Sequence, residues 1–193
     1  MTNKEHFIDI AKTNIYRAGL DDLLAWLESS DFYSAPASTR FHDSHEGGLC
    51  EHSINVYYHL LHLNKAYGMN FDLESLAIVA LFHDLCKVNC YTVSMKNVKD
   101  DETGSWRKEP FYKWDEKNKY GGHGSKSVYI VQYYMKLYFV EAAAINCHMG
   151  VENNNGNIIM DTYRDNALAF LLHMADMAST IPILNQVMGL PNK

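Results

Sequence analysis

Apolar residues recur along the first half of this chain at steps of three and four, the spacing that gives a helix one buried face. Phe7, Ile8, Ala11 and Ile15 predict a helix over Lys4–Ala18. Gly19 breaks the pattern, and Asp21 or Asp22 can cap the next helix, Leu23–Glu28. Ser29–His45 is rich in Ser, Ala and His and contains Pro36; Phe32, Tyr33 and Phe41 anchor it, so it reads as an ordered loop. Gly47-Gly48 then open a helix on which Leu49, His52, Val56, Leu60, Leu63 and Tyr67 share one face. That spacing puts His52 on the buried stripe and leaves His59 and His62 off it, solvated or paired locally. Gly68 ends this helix, and Asp72 caps another that is expected to run to about Val88.

The pattern changes after Val88. Tyr91–Gly122 interleaves Thr92, Val93, Trp106, Phe111, Tyr112 and Trp114 with charge, around Gly104 and Pro110, which predicts a β-hairpin excursion. Gly121-Gly122 lead into a helix over His123–Tyr138, with Ser127, Ile130, Val131, Tyr134 and Leu137 inward. A short helix Val140–Met149, a Gly- and Asn-rich loop Met149–Tyr163 and a helix Asp165–Thr180 follow, with Pro182 as the stop. The expected fold class is therefore all-α, a helical bundle with one small hairpin. Its 193 residues suffice for a single domain over 1–193. The core is expected at about 35–180, with 91–122 as the hairpin or lid.

Composition narrows the function. A hydrophobic share of 47% with 21% charge suits an ordinary globular protein. No apolar run approaches the roughly 20 residues that cross a bilayer. Met1–His6 lacks the charged-then-apolar pattern of a leader, so a cytoplasmic location without membrane contact is expected. A net charge of -6 argues against wholesale nucleic-acid binding. From Lys87 to Gly122, however, eight basic side chains stand against six acidic ones. Cys50, Cys86, Cys90 and Cys147 form no C-x-x-C pair and read as reduced core thiols, with Cys86 placed to shape the surroundings of Asp84.

His83-Asp84 stand near the end of the apolar run Leu76–Leu85. Burying both is costly unless something pairs with them. Hydrogen bonds inside a helical core are one answer; a metal ion is another, since neutral imidazole and carboxylate both bind Zn, Mn or Fe. His52, His123, His148 and Asp176 shift the balance. With His83 and Asp84 they make six such groups on five predicted helices, and burying all six unpaired would exceed the stability of a typical domain. Where such helices bundle, the six can converge on one or two transition-metal ions.

The order His52, His83-Asp84, His123, His148, Asp176 resembles the H…HD…H…H…D signature of the HD-domain superfamily. Gly47-Gly48-Leu49-Cys50-Glu51-His52-Ser53 is similar to the G-G-L-x-E-H-[ST] opening of many bacterial HD phosphohydrolases. Gly122–Ser127 and Leu171–Asp176 resemble later blocks of the family, and the similarity runs from about Ala35 to Thr180. It extends to the HD module of certain bacterial 3′-to-5′ exoribonucleases. The resemblance implies an all-α bundle with a central metal site. In it His52, His83, Asp84 and Asp176 would hold one divalent ion (Mn, Fe, Zn, Co or Ni, with Mg as a further option). Asp84 would bridge to a second ion completed by His123 and His148. Cys86 departs from the glycine often found there and removes no ligand.

The chemistry implied is hydrolysis of a phosphomonoester or phosphodiester by a metal-activated hydroxide, the substrate being a small nucleotide rather than long nucleic acid. Asp84 and Lys87 are the expected catalytic pair, with Lys87 also neutralising a phosphate oxygen. Arg40, His42 and His45, just before the first ligand, are candidates to bind substrate or simply a surface cluster. The hairpin is a candidate lid whose aromatics stack on a base, or plain padding. Two other readings share this fold: a di-iron oxygenase that cleaves a carbon bond of a polyol or phosphonate, and a nucleotide-binding module without catalysis.

Overall fold

The computed structural model describes residues 1–40, 43–100, 103–115, 117, 121–151 and 156–190. Phe41, His42, Asp101, Glu102, Glu116 and Lys119, which entered the reading of the sequence, lie outside the described residues. The rest form α1 (Asn3–Asn14), α2 (Leu20–Glu28), α3 (Gly48–Ala66) and α4 (Leu73–Phe82), then the strands β1 (Tyr91–Lys99) and β2 (Trp106–Trp114). The helices α5 (His123–Tyr134), α6 (Phe139–Cys147), α7 (Gly156–Asp165), α8 (Ala167–Ser179) and α9 (Pro182–Val187) complete the chain. The structure is thus mostly helical with one two-stranded antiparallel sheet.

Helix α4 is the axle. Ser75 to Phe82 are all buried, as a helix apolar on every side must be. Around it pack α1, α3 and α6, while α8 closes against α3 and α6 and α5 lies on α6. Asp72 caps α4 through the Ser75 amide at 2.8 Å, as its sequence position predicts. The helix stops at Phe82 instead of reaching Val88: the backbone turns at Asp84 and tightens into a 3-10 turn over Leu85–Lys87. The Lys87 amide bonds the Asp84 carbonyl at 3.0 Å, so His83 and Asp84 sit at the end of the central helix rather than within it.

Other boundaries moved for identifiable reasons. Helix α1 ends at Asn14 and α5 at Tyr134, where Ile15 and Met135 turn extended. The Gly- and Asn-rich stretch expected as loop contains α7, whose Tyr163 stacks on His173 at 5.6 Å between ring centres. Pro182 does more than stop α8: it opens α9 at the position where its missing N–H costs nothing. Buried Asn185 on α9 pairs with His59 Nε2 at 2.8 Å, so His59 is buried and paired across the fold, neither solvated nor locally satisfied. Exposed His62 follows expectation. All four cysteines are free and buried.

The hairpin register runs from Tyr91 opposite Trp114 to Lys99 opposite Trp106. Its strands are largely exposed, and its root is tied to the helices. Tyr91 donates to the Ala37 carbonyl at 3.0 Å, and the Asp115 amide to the Cys90 carbonyl at 2.8 Å. Among the described residues no helix is long and apolar enough to cross a membrane.

Candidate metal centre

Five elements end or pass where the six predicted side chains gather. His52 comes from near the start of α3, His83 and Asp84 from the end of α4, His148 from the end of α6, His123 from the first residue of α5 and Asp176 from α8. Gly124 lets α5 come close enough: a Cβ there would stand 2.3 Å from the Asn146 carbonyl oxygen of α6. This approach brings the His123 and His148 rings to 5.6 Å between centres.

One local device is used twice. His83 and His148 each cap a helix, and each Nδ1 bonds the carbonyl three residues back, Ala80 at 2.8 Å and Ile145 at 2.6 Å. A carbonyl only accepts, so Nδ1 carries the proton and Nε2 is left as a bare lone pair. His52 is set by a different partner. Its Nδ1 lies 3.2 Å from the Ser179 hydroxyl, which gives its own hydrogen to the Asp176 carbonyl at 2.7 Å. His52 Nδ1 is therefore assigned as the donor, and its Nε2 too faces the cluster.

These lone pairs crowd together. His52 Nε2 is 3.3 Å from His83 Nε2 and 3.1 Å from Asp176 Oδ1. Asp84 stands between two groups: Oδ2 lies 3.6 Å from His52 Nε2 and 3.5 Å from His83 Nε2, while Oδ1 lies 2.9 Å from His123 Nε2 and 3.4 Å from His148 Nε2. His52, His83, Asp84 and His148 are all buried. His148 Nε2 is buried without a hydrogen bond. Atoms that only accept repel at such distances unless a positive charge joins them.

One lysine supplies part of that charge. Lys87 Nζ is 2.7 Å from Asp84 Oδ2, reached across the 3-10 turn, where residues three apart eclipse. Burial would lower the Lys87 pKa, but Asp84 and then Asp176 outweigh it and hold the ammonium charged. Burial would likewise raise the Asp84 carboxyl, yet Lys87 and His83 keep it well below its usual range. Asp176 behaves the same way against burial, through His52 and His83. Burial lowers the His83 pKa despite Asp84, so its imidazole stays neutral. Neutral imidazoles and ionised carboxylates are the states that bind divalent metals. Three overlapping triplets offer ligand atoms within 4.8 Å of one another: His52/His83/Asp84, His83/His148/Asp176 and Asp84/His123/His148. The residues present fit a metal.

The other predicted site residues lie elsewhere. Exposed Arg40 lines a cavity of about 360 Å³ with Thr39, Ser44, Val93, Lys96, Pro110, Phe111 and Tyr112, between the 29–47 loop and the hairpin. His45 turns toward Asp43, 3.8 Å away. Two residues were missed by the reading of the sequence. Ser179 orients His52, and its position three residues after Asp176 on one helix face was a usable signal. Asp43 Oδ2 lies 3.8 Å from His52 Nδ1, and no periodic pattern marked it.

A mostly helical fold with His and Asp converging from helix ends defines the class, and the comparison with protein families agrees. The model of the HD domain matches residues 49–178, more than half of the chain and a span holding all six side chains. The chain belongs to the HD-domain family. HD domains bind divalent metals and are generally metal-dependent phosphohydrolases. Neither a curated protein nor a solved structure matches the chain.

Proposed function

We propose that His52, His83, Asp84, His123, His148 and Asp176 hold one or two divalent transition-metal ions and that the protein hydrolyses a small phosphate ester, a nucleotide. The observation that carries this reading is the excess of acceptors. Three imidazole lone pairs and two carboxylates face one another around Asp84, and Lys87 is the main fixed cation among them. When bound, such ions supply Lewis acidity and a coordinated water acidic enough to ionise near neutral pH. Asp84, with one oxygen toward each half of the cluster, is the natural bridge. Its Oδ2 has two lone-pair directions, so the Lys87 ammonium can share that oxygen with an ion. Lys87 then neutralises a phosphoryl oxygen as charge develops.

Substrate size follows from charge and shape. A long polyanion needs a track of about six to ten cationic contacts, whereas the chain carries a net charge of -6. The cavity beside Arg40 and Lys96 offers two cations with Phe111 and Tyr112, enough for one phosphate and one base. Burial first, and then the Asp84 carboxylate, push the Tyr91 phenol pKa up, so the hairpin root lies within electrostatic reach of the cluster.

The test begins with elemental analysis of freshly purified protein. Turnover of phosphomonoesters, mononucleotides, cyclic dinucleotides and a single-stranded oligonucleotide is then measured with Mn, Mg, Co and Fe at low and high salt. Metal-dependent turnover of the small esters is expected. Processive degradation of the oligonucleotide at near-physiological salt, with no action on small esters, moves the function to an exonuclease. Iron with O2 consumption on a polyol or phosphonate moves it to an oxygenase. Tight nucleotide binding without turnover leaves a binding module.

A further inference from the structure

A second group of buried acceptors lies on the far side of His52. Glu51 is 2% exposed and Asp43 9% exposed. Glu51 Oε1, Asp43 Oδ2 and His45 Nε2 are each buried without a hydrogen-bond partner. The three side chains offer ligand atoms within 4.8 Å of one another. His45 Nδ1 bonds the Glu46 carbonyl at 3.0 Å, so Nδ1 carries the proton and Nε2 is a lone pair. The remaining oxygen of Glu51 is already taken, by the Asn3 amide at 3.0 Å. Each uncompensated buried acceptor is costly. Three such side chains, each with a ligand atom within 4.8 Å of the others, call for a shared cation.

We propose that Asp43, His45 and Glu51 form a second cation site, separate from the six-residue cluster, that takes a divalent transition metal such as Mn2+ or Zn2+. Two carboxylates and one imidazole are a borderline donor set that suits these ions. The backbone holds the three residues in place. The Asp43 carbonyl accepts from the Ala37 amide at 3.0 Å. Helix α3 packs so close to Asp43 that a Cβ on Gly48 would stand 2.0 Å from that carbonyl oxygen. Glu51 also lines a cavity of about 450 Å³ with Asn3, His6 and Tyr58. The ion joins Asp43 and His45 to the first turn of α3. It also fixes Asp43 beside His52 Nδ1, the ring nitrogen turned away from the main cluster.

The experiment counts ions. The full chain is stripped with a chelator, titrated with Mn2+ alone and then with Zn2+ alone, and bound metal is measured by calorimetry and elemental analysis. The wild type is compared with His45→Ala, Glu51→Gln and His148→Ala, and circular dichroism checks that each is folded. His45→Ala and Glu51→Gln should each bind one ion fewer than the wild type. Combined with His148→Ala, either should lower the count further, because the two sites are separate. His45 is partly exposed, so His45→Ala carries the test if Glu51→Gln does not fold. A wild-type ion count in folded His45→Ala, at saturating Mn2+ and Zn2+, overturns the proposal and leaves a shared proton or water among the three groups. That outcome says nothing against the six-residue cluster, whose own test is the response to His148→Ala.

Discussion

Two buried charged clusters lie at opposite ends of α4, and they solve the same electrostatic problem differently. Around Glu141, which is wholly buried, every oxygen meets two donors. Arg17 reaches Oε2 at 2.6 Å and Oε1 at 3.1 Å, Ser75 Oγ donates to Oε1 at 2.7 Å and the Tyr138 amide to Oε2 at 2.7 Å. Arg17 also spans to Glu74 at 3.1 Å and lies over the Tyr138 ring, 4.2 Å from its centre. Burial would lower the Arg17 pKa, but Glu141 and Glu74 more than offset it. This cluster is closed. Around Asp84 the count runs the other way, with more lone pairs than protons to share among them. A closed cluster holds a fold together, whereas an open one is organised for something that arrives later.

The largest effect should come from breaking the open cluster at its centre. Asp84→Asn keeps the shape and removes the charge facing both halves. Turnover should fall roughly a thousandfold or more, the several kcal/mol that metal-assisted charge stabilisation supplies. Bound metal should drop while circular dichroism is unchanged. Near-native activity with full metal occupancy would remove the metal reading altogether.

The closed cluster should answer in stability instead. Arg17→Ala strands a buried carboxylate, and breaking such a pair costs about 3–5 kcal/mol, or roughly 6–20 °C in Tm for a chain of this size. Urea and thermal unfolding read the loss, and the metal-to-protein ratio should not move. Should Arg17→Ala strip metal as Asp84→Asn does, the two clusters are one coupled unit and the contrast fails.

Within the open cluster, His123→Ala and His148→Ala should each remove one of the two ions held there, a loss of about one in the metal-to-protein ratio. His52→Ala should damage the other half and lower activity more. A metal-to-protein ratio unchanged in both variants would assign His123 and His148 to the substrate.

The smallest effect concerns acid stability of the chelator-treated protein. Asp84 and Asp176 are held below their usual carboxyl range against the pull of burial, by Lys87, His83 and His52. Such groups add stability that is present above the unfolded pKa, about 3.9, and is lost as pH falls through the lower folded values. Asp176→Asn should therefore flatten the fall in stability below about pH 4, as followed by unfolding at stepped pH. An equally steep fall would mean that other carboxylates carry the acid sensitivity.

The open cluster was far easier to read from the sequence than the closed one. His83-Asp84 interrupt an apolar run, and His52 and Asp176 occupy apolar-stripe positions, so each stands out against its own neighbours. Arg17, Glu74 and Glu141 look like ordinary surface charges; Arg17 and Glu141 are 124 residues apart, and nothing local predicts that they meet. The same holds for His59 and Asn185, 126 apart, where helical spacing alone left His59 outside the core. Helix α7 was hidden by its Gly- and Asn-rich start, and α9 by the Pro182 that opens it.

The order and type of most helices, the hairpin and the way His52, His83-Asp84 and Asp176 stand out on apolar faces were legible in the sequence itself, because periodicity and capping act between residues a few positions apart. The tertiary structure decided which nitrogen of each histidine faces inward, since that depends on a carbonyl or hydroxyl brought alongside. It also decided that Glu141 is closed off while Asp43, His45 and Glu51 are not, because pairing is a property of which segments pack together.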